Sequence, residues 1–255
     1  MFWHKFISSF KKPPRILEQE AILDMDEVRA YDGLVSKYMG ILHEGFVATL
    51  LSIGPSHGNV LEVGTGTGRI SITLAKHTSK YAIYAIDLSQ NMLMVARENA
   101  QHEGVIDRIT FLPADACNLP FEDNTFHMVY SHNMMHHLPD PEPMLLEMAR
   151  VLRPEGAFVV RDLKRLPPFW RWIHVNLFGV HYDPIMKRQY RDSISAAFSV
   201  DEWKTLATQF PLEDIHISRQ FVTHISIHRP FLGEKHKKTK LPLSLKTIPR
   251  SLYTS

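Results

Sequence analysis

The sequence has little cysteine: Cys117 is the single one among 255 residues. One cysteine excludes an intramolecular disulfide, so we expect an intracellular, cytoplasmic protein whose folding does not depend on oxidation. No uninterrupted apolar run approaches the roughly 18 residues that a membrane span needs. The N-terminus also lacks the long apolar centre and the small-residue cleavage site of a secretory signal. These absences argue against a disulfide scaffold, a membrane-spanning protein and a secreted one.

Net charge is small as well, at +2, but it is unevenly placed. Residues 1–15 carry four Lys and Arg and no acid, and residues 229–255 carry seven Lys and Arg against Glu234. Such a tail can touch an anionic membrane or a nucleic acid, although a solvated tail is the simpler interpretation. The remaining composition, 44% apolar and 22% charged, is that of a globular protein.

Three regions are predicted along the chain. Residues 1–25 form an amphipathic N-terminal segment, because Phe2, Phe6 and Phe10 recur every fourth residue. Its helix would dock on the protein itself or make weak contact with a membrane surface. Residues 26–228 form one domain, and residues 229–255 form a basic, flexible tail. The oligomeric state does not follow from the sequence.

The stretch 59–70 contains the sharpest local pattern. A short apolar run leads into Gly64, Gly66 and Gly68, and an amphipathic pattern follows, which predicts a buried strand, a tight turn and a helix. Glycines suit a turn at which a ligand lies against bare backbone. An ordinary strand-to-helix turn remains the alternative. Arg69 stands where a dinucleotide fingerprint has its third glycine, which disfavours a nicotinamide oxidoreductase.

Strands and helices then alternate at short intervals, which predicts an α/β fold with a doubly wound parallel sheet and helices on both faces. The predicted strands lie at residues 81–86, 109–112, 125–131 and 157–160, and a closing hairpin follows at residues 212–217 and 221–227. A long helical region is predicted over residues 26–51, and Arg153 to Gly156 are predicted to form a turn.

Polar residues stand at the ends of these strands. Asp87 follows the second strand, Asp115 the third, and Ser131 and His132 the fourth. In a doubly wound sheet a ligand binds outside the carboxyl ends of the strands, where a carboxylate such as Asp87 can accept hydrogen bonds from both ribose hydroxyls. A surface or helix-start aspartate is the alternative for Asp87.

The order of these motifs resembles that of the class I S-adenosylmethionine-dependent methyltransferases, and most of all the small-molecule group that includes the ubiquinone and menaquinone biosynthesis methyltransferases. The motifs are Val60 to Gly68, Ala85 to Ser89, Ala114 to Ala116, Met135 to Leu138 and Arg150 to Gly156. The resemblance covers about residues 30–163. It implies a Rossmann-like seven-stranded sheet with an antiparallel last strand. One departure is His127, where such proteins often have an aspartate on the fourth strand.

The resemblance also implies roles for individual residues. Gly64, Thr65, Gly66 and Gly68 would surround the methionine part of S-adenosylmethionine, and Glu62 would hold the turn or the ammonium group. Asp87 would take the ribose hydroxyls, and Asp115 with Ala116 the adenine. Leu88 and Met92 would pack on the adenine, unless they belong to the core, and Ser131 or His132 would lie near the sulfonium.

Methyl transfer needs a general base only when the acceptor atom carries a proton. The candidates are His132, placed first because it follows the strand end directly, then His136 and His137; a structural histidine is the alternative for each. No Cys or carboxylate pattern accompanies these histidines, so no metal site is predicted.

Residues 164–200 are rich in aromatic residues and are predicted to form a lid over the acceptor. Trp170, Trp172, Phe178 and Tyr182 would line a pocket for an apolar or aromatic molecule, unless they form a small core of the lid. Arg161, Lys164, Arg165 and Arg191 are candidates for holding an acidic group of that molecule.

We therefore predict an S-adenosylmethionine-dependent methyltransferase that acts on a small apolar or aromatic molecule by in-line displacement. The alternatives are an RNA or protein methyltransferase, which the basic tail would permit, and a non-catalytic S-adenosylmethionine-binding regulatory protein.

Overall fold

The computed structural model describes residues 14–18, 24–180, 182, 184–220, 223–233 and 246–247. The predicted N-terminal helix and most of the basic tail lie outside the described residues. The strands are β1 (Gly58–Val63), β2 (Tyr81–Asp87), β3 (Ile109–Pro113), β4 (Phe126–His132), β5 (Leu152–Leu163), β6 (His216–Gln220), β7 (His224–Arg229) and β8 (Lys246–Thr247). The α-helices are α1 (Met25–Tyr38), α2 (Gly40–Ile53), α3 (Arg69–His77), α4 (Gln90–His102), α5 (Glu142–Val151), α6 (Pro168–Phe178), α7 (Pro184–Ala196) and α8 (Val200–Gln209).

The strands form one sheet in the order β3-β2-β1-β4-β5-β7-β6-β8. Strands β1 to β5 are parallel, and β7 runs antiparallel to both of its long neighbours. The predicted seven-stranded, doubly wound sheet with an antiparallel last strand is therefore confirmed. The two-residue strand β8 adds to its β6 edge. Strand order reverses between β1 and β4, which is where such sheets bind ligands.

Apolar helix faces cover both sides of the sheet. Helices α2, α3 and α4 pack on one side in a core that includes Phe46, Leu74 and Tyr130. Helices α5 and α8 pack on the other side around Met148 and Trp203. Because successive residues of a strand point to opposite faces, neighbours such as Tyr130 and Ser131 belong to different sides.

Helix starts follow local capping signals. The Ser89 hydroxyl accepts a hydrogen bond from the backbone N–H of Met92 at the start of α4. Ser199 and Glu202 form a capping box at the start of α8. The helical region predicted over residues 26–51 is instead two helices, because Met39 ends α1 and leads into α2 at Gly40.

Two strand predictions differ from the structure. The residues from Arg153 to Gly156 belong to β5 as an irregularity: Leu152 pairs with Phe126 and Ala157 with Met128, so the register shifts between these pairs. The closing hairpin begins later than predicted, because Asp214 adopts a left-handed conformation (φ 56°) and β6 starts only at His216.

The aromatic segment at residues 164–200 consists mainly of α6 and α7. Proline opens each helix, at Pro168 and Pro184, a position that tolerates the missing N–H. Buried Leu163, Val175 and Ile194 join the two helices in a small core of their own. None of the helices in the described part of the chain has the length and apolar character that crossing a membrane requires.

Candidate active site

Backbone hydrogen bonds fix the glycine turn to the end of β2. The N–H groups of Gly64 and Thr65 donate to the carbonyl of Ile86 at 2.9 and 2.8 Å. The N–H of Gly66 donates to Asp87 Oδ2 at 2.8 Å. The turn and the acidic strand end therefore form one rigid unit.

The three glycines have positive φ angles for different local reasons. A Cβ on Gly64 would lie 2.3 Å from Cγ of Met134, and one on Gly68 would lie 3.0 Å from Cβ of Ala96. A Cβ on Gly66 would meet nothing within 4 Å, and Gly66 lines the large cavity described below. Gly66 therefore presents bare backbone to the cavity, whereas the other two permit close packing of the protein itself.

Glu62 is buried beneath the turn. Its carboxyl group accepts a hydrogen bond from Thr65 Oγ1 at 2.8 Å and another from Ser71 Oγ, which also contacts the Tyr130 hydroxyl at 3.2 Å. Burial raises the pKa of Glu62 to about 7, against the opposing effect of these hydrogen bonds. Glu62 ties the turn to the first residues of α3, and it also contributes to the cavity wall.

Asp87 is held from two sides. Besides the Gly66 bond, its Oδ1 accepts from the N–H of Ser89 at 2.9 Å. Burial raises the pKa of Asp87 above its usual value, and the backbone N–H donors oppose this shift. The carboxylate thus has a fixed orientation at the cavity wall before any ligand arrives.

The other residues predicted to bind the cofactor occupy different environments. Leu88 is 76% exposed at the cavity rim, whereas Met92 is buried against Val28 and also lines the cavity. Asp115 and Ala116 line the cavity, and Asp115 Oδ1 accepts from the N–H of Cys117 at 2.8 Å. Ser131 is fully buried on the α5 side of the sheet and is not part of the cavity wall, and Gly68 is likewise absent from the wall.

An ion pair that the sequence did not reveal stands next to the turn. The Arg69 guanidinium donates twice to the carboxylate of Asp32 on α1, with Nε to Oδ1 at 2.9 Å. Asn99 of α4 donates both to Asp32 and to the carbonyl of Thr67. Arg69 thus joins α1 to the start of α3, in addition to occupying the position of the third fingerprint glycine.

His136 and Asp162 form a buried pair at the end of β4. Nδ1 of His136 lies 2.6 Å from Asp162 Oδ1, and the N–H of His136 donates to Oδ2 at 2.9 Å. Burial favours a lower pKa for His136, but the carboxylate outweighs it and raises the pKa above the ordinary value. Nδ1–H faces the carboxylate, so Nε2 is the nitrogen left to take a proton.

His132 has a different environment. Nη2 of Arg161 lies 2.9 Å from its Nε2, and burial lowers the pKa of His132 well below its ordinary value. Nε2 therefore accepts from the guanidinium, and the proton of the neutral ring is on Nδ1. With its lone pair taken, His132 is less suited than His136 to act as a base.

A short N-terminal strap, defined here as residues 14–18, crosses the loop that carries these histidines. Arg15 donates to four carbonyl oxygens, of His136, Leu138, Pro139 and Ala196. Glu18 lies 2.6 Å from Nδ1 of His137 and accepts a hydrogen bond from Ser193. The strap thereby connects the β4 loop to the lid.

Glu18, His136 and His137 bring three potential metal-ligating atoms within 4.8 Å of one another. Glu18 supplies a carboxylate that no sequence spacing had indicated. Its oxygens already pair with His137 and Ser193, so internal contacts account for the group. The absence of a metal site remains a prediction.

Many of these groups line one cavity of about 1540 Å³. The glycine turn and Asp87 form one part of its wall, and the β4 loop, α1, α2 and the lid form the rest. Of the four aromatic residues predicted to line an acceptor pocket, Phe178 and Tyr182 do so. Trp170 and Trp172 do not, and they are 50% and 66% exposed on the outer side of α6. His43, His174 and Tyr190 also line the cavity, although no sequence pattern indicated them.

Comparisons with known proteins agree with this geometry. Residues 61–160 match the protein family described as "Methyltransferase domain". The methyltransferase GfsG of Streptomyces halstedii is 38% identical over 113 residues, which are 44% of this chain and 40% of that protein. The demethylmenaquinone methyltransferase of Lactiplantibacillus plantarum is 29% identical over 64% of this chain and 74% of its own length.

A solved structure shares the fold. The crystal structure of a putative S-adenosyl-L-methionine-dependent methyltransferase from Methanococcus maripaludis superposes with a TM-score of 0.65, at 20% identity, over 87% of this chain and all of that one. At this identity the likeness concerns the fold, and the chain spans less than half of the length of GfsG. The acceptor and the activity must therefore be inferred from the site.

Proposed function

We propose that this chain is a class I S-adenosylmethionine-dependent methyltransferase that moves a methyl group from S-adenosylmethionine to a small apolar or aromatic molecule. One observation carries this proposal: a single cavity joins the glycine turn and Asp87 to a second wall of histidine and aromatic side chains. A nucleotide-containing ligand and an acceptor therefore have room side by side.

The residues around the turn fit the cofactor. Gly66 presents open backbone where a side chain would intrude, and the oriented Asp87 carboxylate suits a pair of ribose hydroxyls. Thr65, Gly64 and Glu62 would face the methionine part, and Asp115 with Ala116 the adenine. Leu88 and Met92 would border the adenine as well. When bound, S-adenosylmethionine supplies a methyl group that its sulfonium charge already activates.

The protein's contribution to the transfer is mainly to orient the acceptor, because alignment alone supplies several kcal/mol. Where the acceptor atom is a protonated oxygen, Nε2 of His136 would take the proton, and Asp162 would stabilise the charged ring. We assign this role to His136 rather than to His132, whose Nε2 already accepts from Arg161. Ser131 of β4, which is buried on the α5 side of the sheet, is left with a packing role.

The acceptor side of the cavity favours a flat or apolar molecule. Tyr182 contacts both Tyr38 and Tyr190 edge to face at the cavity wall, and Leu34 and Val35 of α1 also line the cavity. The relative from Lactiplantibacillus plantarum is named for demethylmenaquinone, a small molecule. A cytoplasmic location is part of the proposal, because a chain with one cysteine has no need of an oxidising compartment.

The first experiment is calorimetric titration of the purified protein with S-adenosylmethionine, S-adenosylhomocysteine and NADH in parallel. We expect micromolar binding of the first two and none of the third, followed by transfer of labelled methyl to a member of a small-molecule panel. If neither S-adenosylmethionine nor S-adenosylhomocysteine binds, the proposal is overturned. Cofactor binding without transfer to any small molecule, RNA or protein would identify a non-catalytic binding protein.

A further inference from the structure

Four polar side chains share one buried face at the carboxyl end of the sheet. His132 pairs in register with Arg161 across β4 and β5, and His224 pairs with Gln220 across β7 and β6. All four are at least nine-tenths buried. They lie on the α2 side of the sheet, the rings of His132 and His224 contact each other, and both residues also line the cavity. We call His132, Arg161, Gln220 and His224 the polar quartet.

Arg161 is a buried cation, and no carboxylate among the residues that the structure describes pairs with it. Its guanidinium donates to Gln220 Oε1 at 3.1 Å, to the Leu42 carbonyl at 3.2 Å and to His132 Nε2 at 2.9 Å. The guanidinium also lies 4.2 Å from the centre of the Phe46 ring. Burial lowers the pKa of Arg161 to about 9, with no acidic neighbour to oppose it. A buried charge in this state is costly unless a counter-charge arrives.

The same quartet holds four buried nitrogen atoms that have no hydrogen-bond partner within the described part of the chain: Nε of Arg161, Nδ1 of His132, Nε2 of Gln220 and Nε2 of His224. The arginine and glutamine nitrogens are always donors, and His132 Nδ1 carries its ring proton because Nε2 accepts from Arg161. Nδ1 of His224 lies 3.2 Å from the Thr223 hydroxyl, and when that hydroxyl donates to Nδ1 the ring proton is on Nε2, which can then donate. Unpaired buried donors are rare in native proteins and call for a ligand that accepts.

The described titratable side chains near Arg161 add no further charge to the polar quartet at pH 7. Burial lowers the pKa of His43 to about 4 and that of His224 to about 3, and it also lowers the pKa of His132, so all three rings are neutral at pH 7. Asp162 follows Arg161 in β5 and therefore points to the opposite face, where it pairs with His136. Arg165, another candidate for holding an acid, already pairs with Glu202 through two hydrogen bonds.

We propose that the methyl acceptor carries a carboxylate, which accepts hydrogen bonds from the ring N–H groups of His132 and His224 and neutralises the charge of Arg161 behind them. The inference rests on the proposed function, since it names the substrate class for the same cavity. His132 and His224 touch the carboxylate. Arg161, which is not part of the cavity wall, is a positioning residue that fixes the His132 tautomer and supplies the field.

The test uses two probes of the same shape, naphthalene-2-carboxylate and its neutral amide, titrated calorimetrically into the full chain with and without S-adenosylhomocysteine. We expect the acid to bind at least about tenfold more tightly than the amide. Arg161→Gln and His224→Phe should each abolish this preference, which is read within each variant as the ratio of the two dissociation constants. Two variants are used because Arg161 is buried, and thermal melting confirms that each is folded.

Arg171→Gln is the matched control, because Arg171 also lines the cavity but belongs to α6 in the lid. It should keep the preference for the acid. Equal affinity for acid and amide, no binding of the acid at millimolar concentration, or a preference that survives in both quartet variants would overturn the proposal. Failure of S-adenosylhomocysteine to bind alongside an intact acid preference would contradict the proposed function alone.

Discussion

Nδ1 of His136 lies 2.6 Å from Oδ1 of Asp162, and the backbone N–H of the same histidine donates to the other carboxylate oxygen. The pair is buried, with Asp162 fully so. One carboxylate therefore fixes the ring, its tautomer and its loop together. A base held in this way needs no reorganisation when an acceptor arrives.

Asp162→Asn should lower kcat by roughly 10²–10⁴, because an amide at this position can donate to Nδ1 and so favour the wrong tautomer. The acid limb of the pH–rate profile should also move to lower pH. The carboxylate raises the pKa of His136, so its removal lets the ring lose its proton at lower pH. Steady-state kinetics across pH 5–9 would measure both effects.

Cofactor binding separates this role from a structural one. The Asp162→Asn variant should bind S-adenosylhomocysteine as the parent does, because Asp162 is not part of the cavity wall. His77 is an exposed histidine at the end of α3, and His77→Gln is the control substitution. It should leave the pH–rate profile unchanged. An unmoved acid limb in Asp162→Asn would remove His136 from the mechanism.

Asp87→Ala should weaken binding of S-adenosylhomocysteine by roughly 1–3 kcal/mol, the cost of losing a charged hydrogen-bond partner. The variant also loses the acceptor for the N–H groups of Gly66 and Ser89, so the turn itself should loosen. Calorimetry gives the affinity. Glu98→Gln, an exposed acid on α4 that pairs with Arg29, should bind the ligand normally. Unchanged affinity in Asp87→Ala would refute the ribose assignment.

Alanine substitutions at Gly64 and Gly66 should have different effects, because the surroundings of the two glycines differ. Gly66→Ala should fold, at a cost of about 1–2 kcal/mol for the left-handed backbone, but lose cofactor affinity because its Cβ enters the cavity. Gly64→Ala should be more destabilised than Gly66→Ala, since its Cβ would overlap Met134. Urea unfolding and ligand titration of both variants test this order. Equal stability of the two would contradict it.

Stability should fall as the pH drops below about 6.5. Burial lowers the pKa of His43 and of His228 to about 4 and that of His224 to about 3. As the pH falls, these histidines therefore bind protons in the unfolded chain while they stay neutral in the native state. Each such histidine removes up to about 1.4 kcal/mol per pH unit between its unfolded and folded values.

Other groups oppose this trend over part of the range. Burial raises the pKa of Glu62 to about 7, so its contribution to stability falls as the pH rises from its unfolded value towards 7. The raised pKa of His136 likewise makes its contribution to stability fall as the pH rises above 6.5. Since the histidines that stay neutral outnumber these groups, urea unfolding at pH 5.0 and 6.5 should show a net loss at the lower pH. His228→Asn should reduce that loss, and a flat profile would contradict the assignment.

The parts of the fold that follow from local pattern were predictable. Alternating apolar strands and amphipathic helices gave the order of elements, and the carboxyl ends of β1 and β2 placed Gly66 and Asp87 together. Ser89 is recognisable as a cap because its hydroxyl acts within three residues. These features depend on spacing of a few residues, which a single sequence records.

The parts of the fold that depend on contacts between residues far apart in the sequence were not predictable. Glu18 contacts His137, Arg15 donates to four carbonyls more than 100 residues away, and Asp32 pairs with Arg69. No periodic pattern in the sequence indicates these contacts. Sequence order ranked His132 above His136 because it follows the strand directly. Only the three-dimensional arrangement shows which of the two has its lone pair occupied, by Arg161.

Arg161 and Asp162 are consecutive residues, yet the pleat of β5 sends one toward His132 and the other toward His136. The proposed recognition of the acceptor's charge and the proposed removal of its proton thereby lie on opposite sides of a single strand. Either property can be altered by substitution while the other keeps its own packing. A catalyst for new acceptors could be evolved from this scaffold by varying the Arg161 side alone.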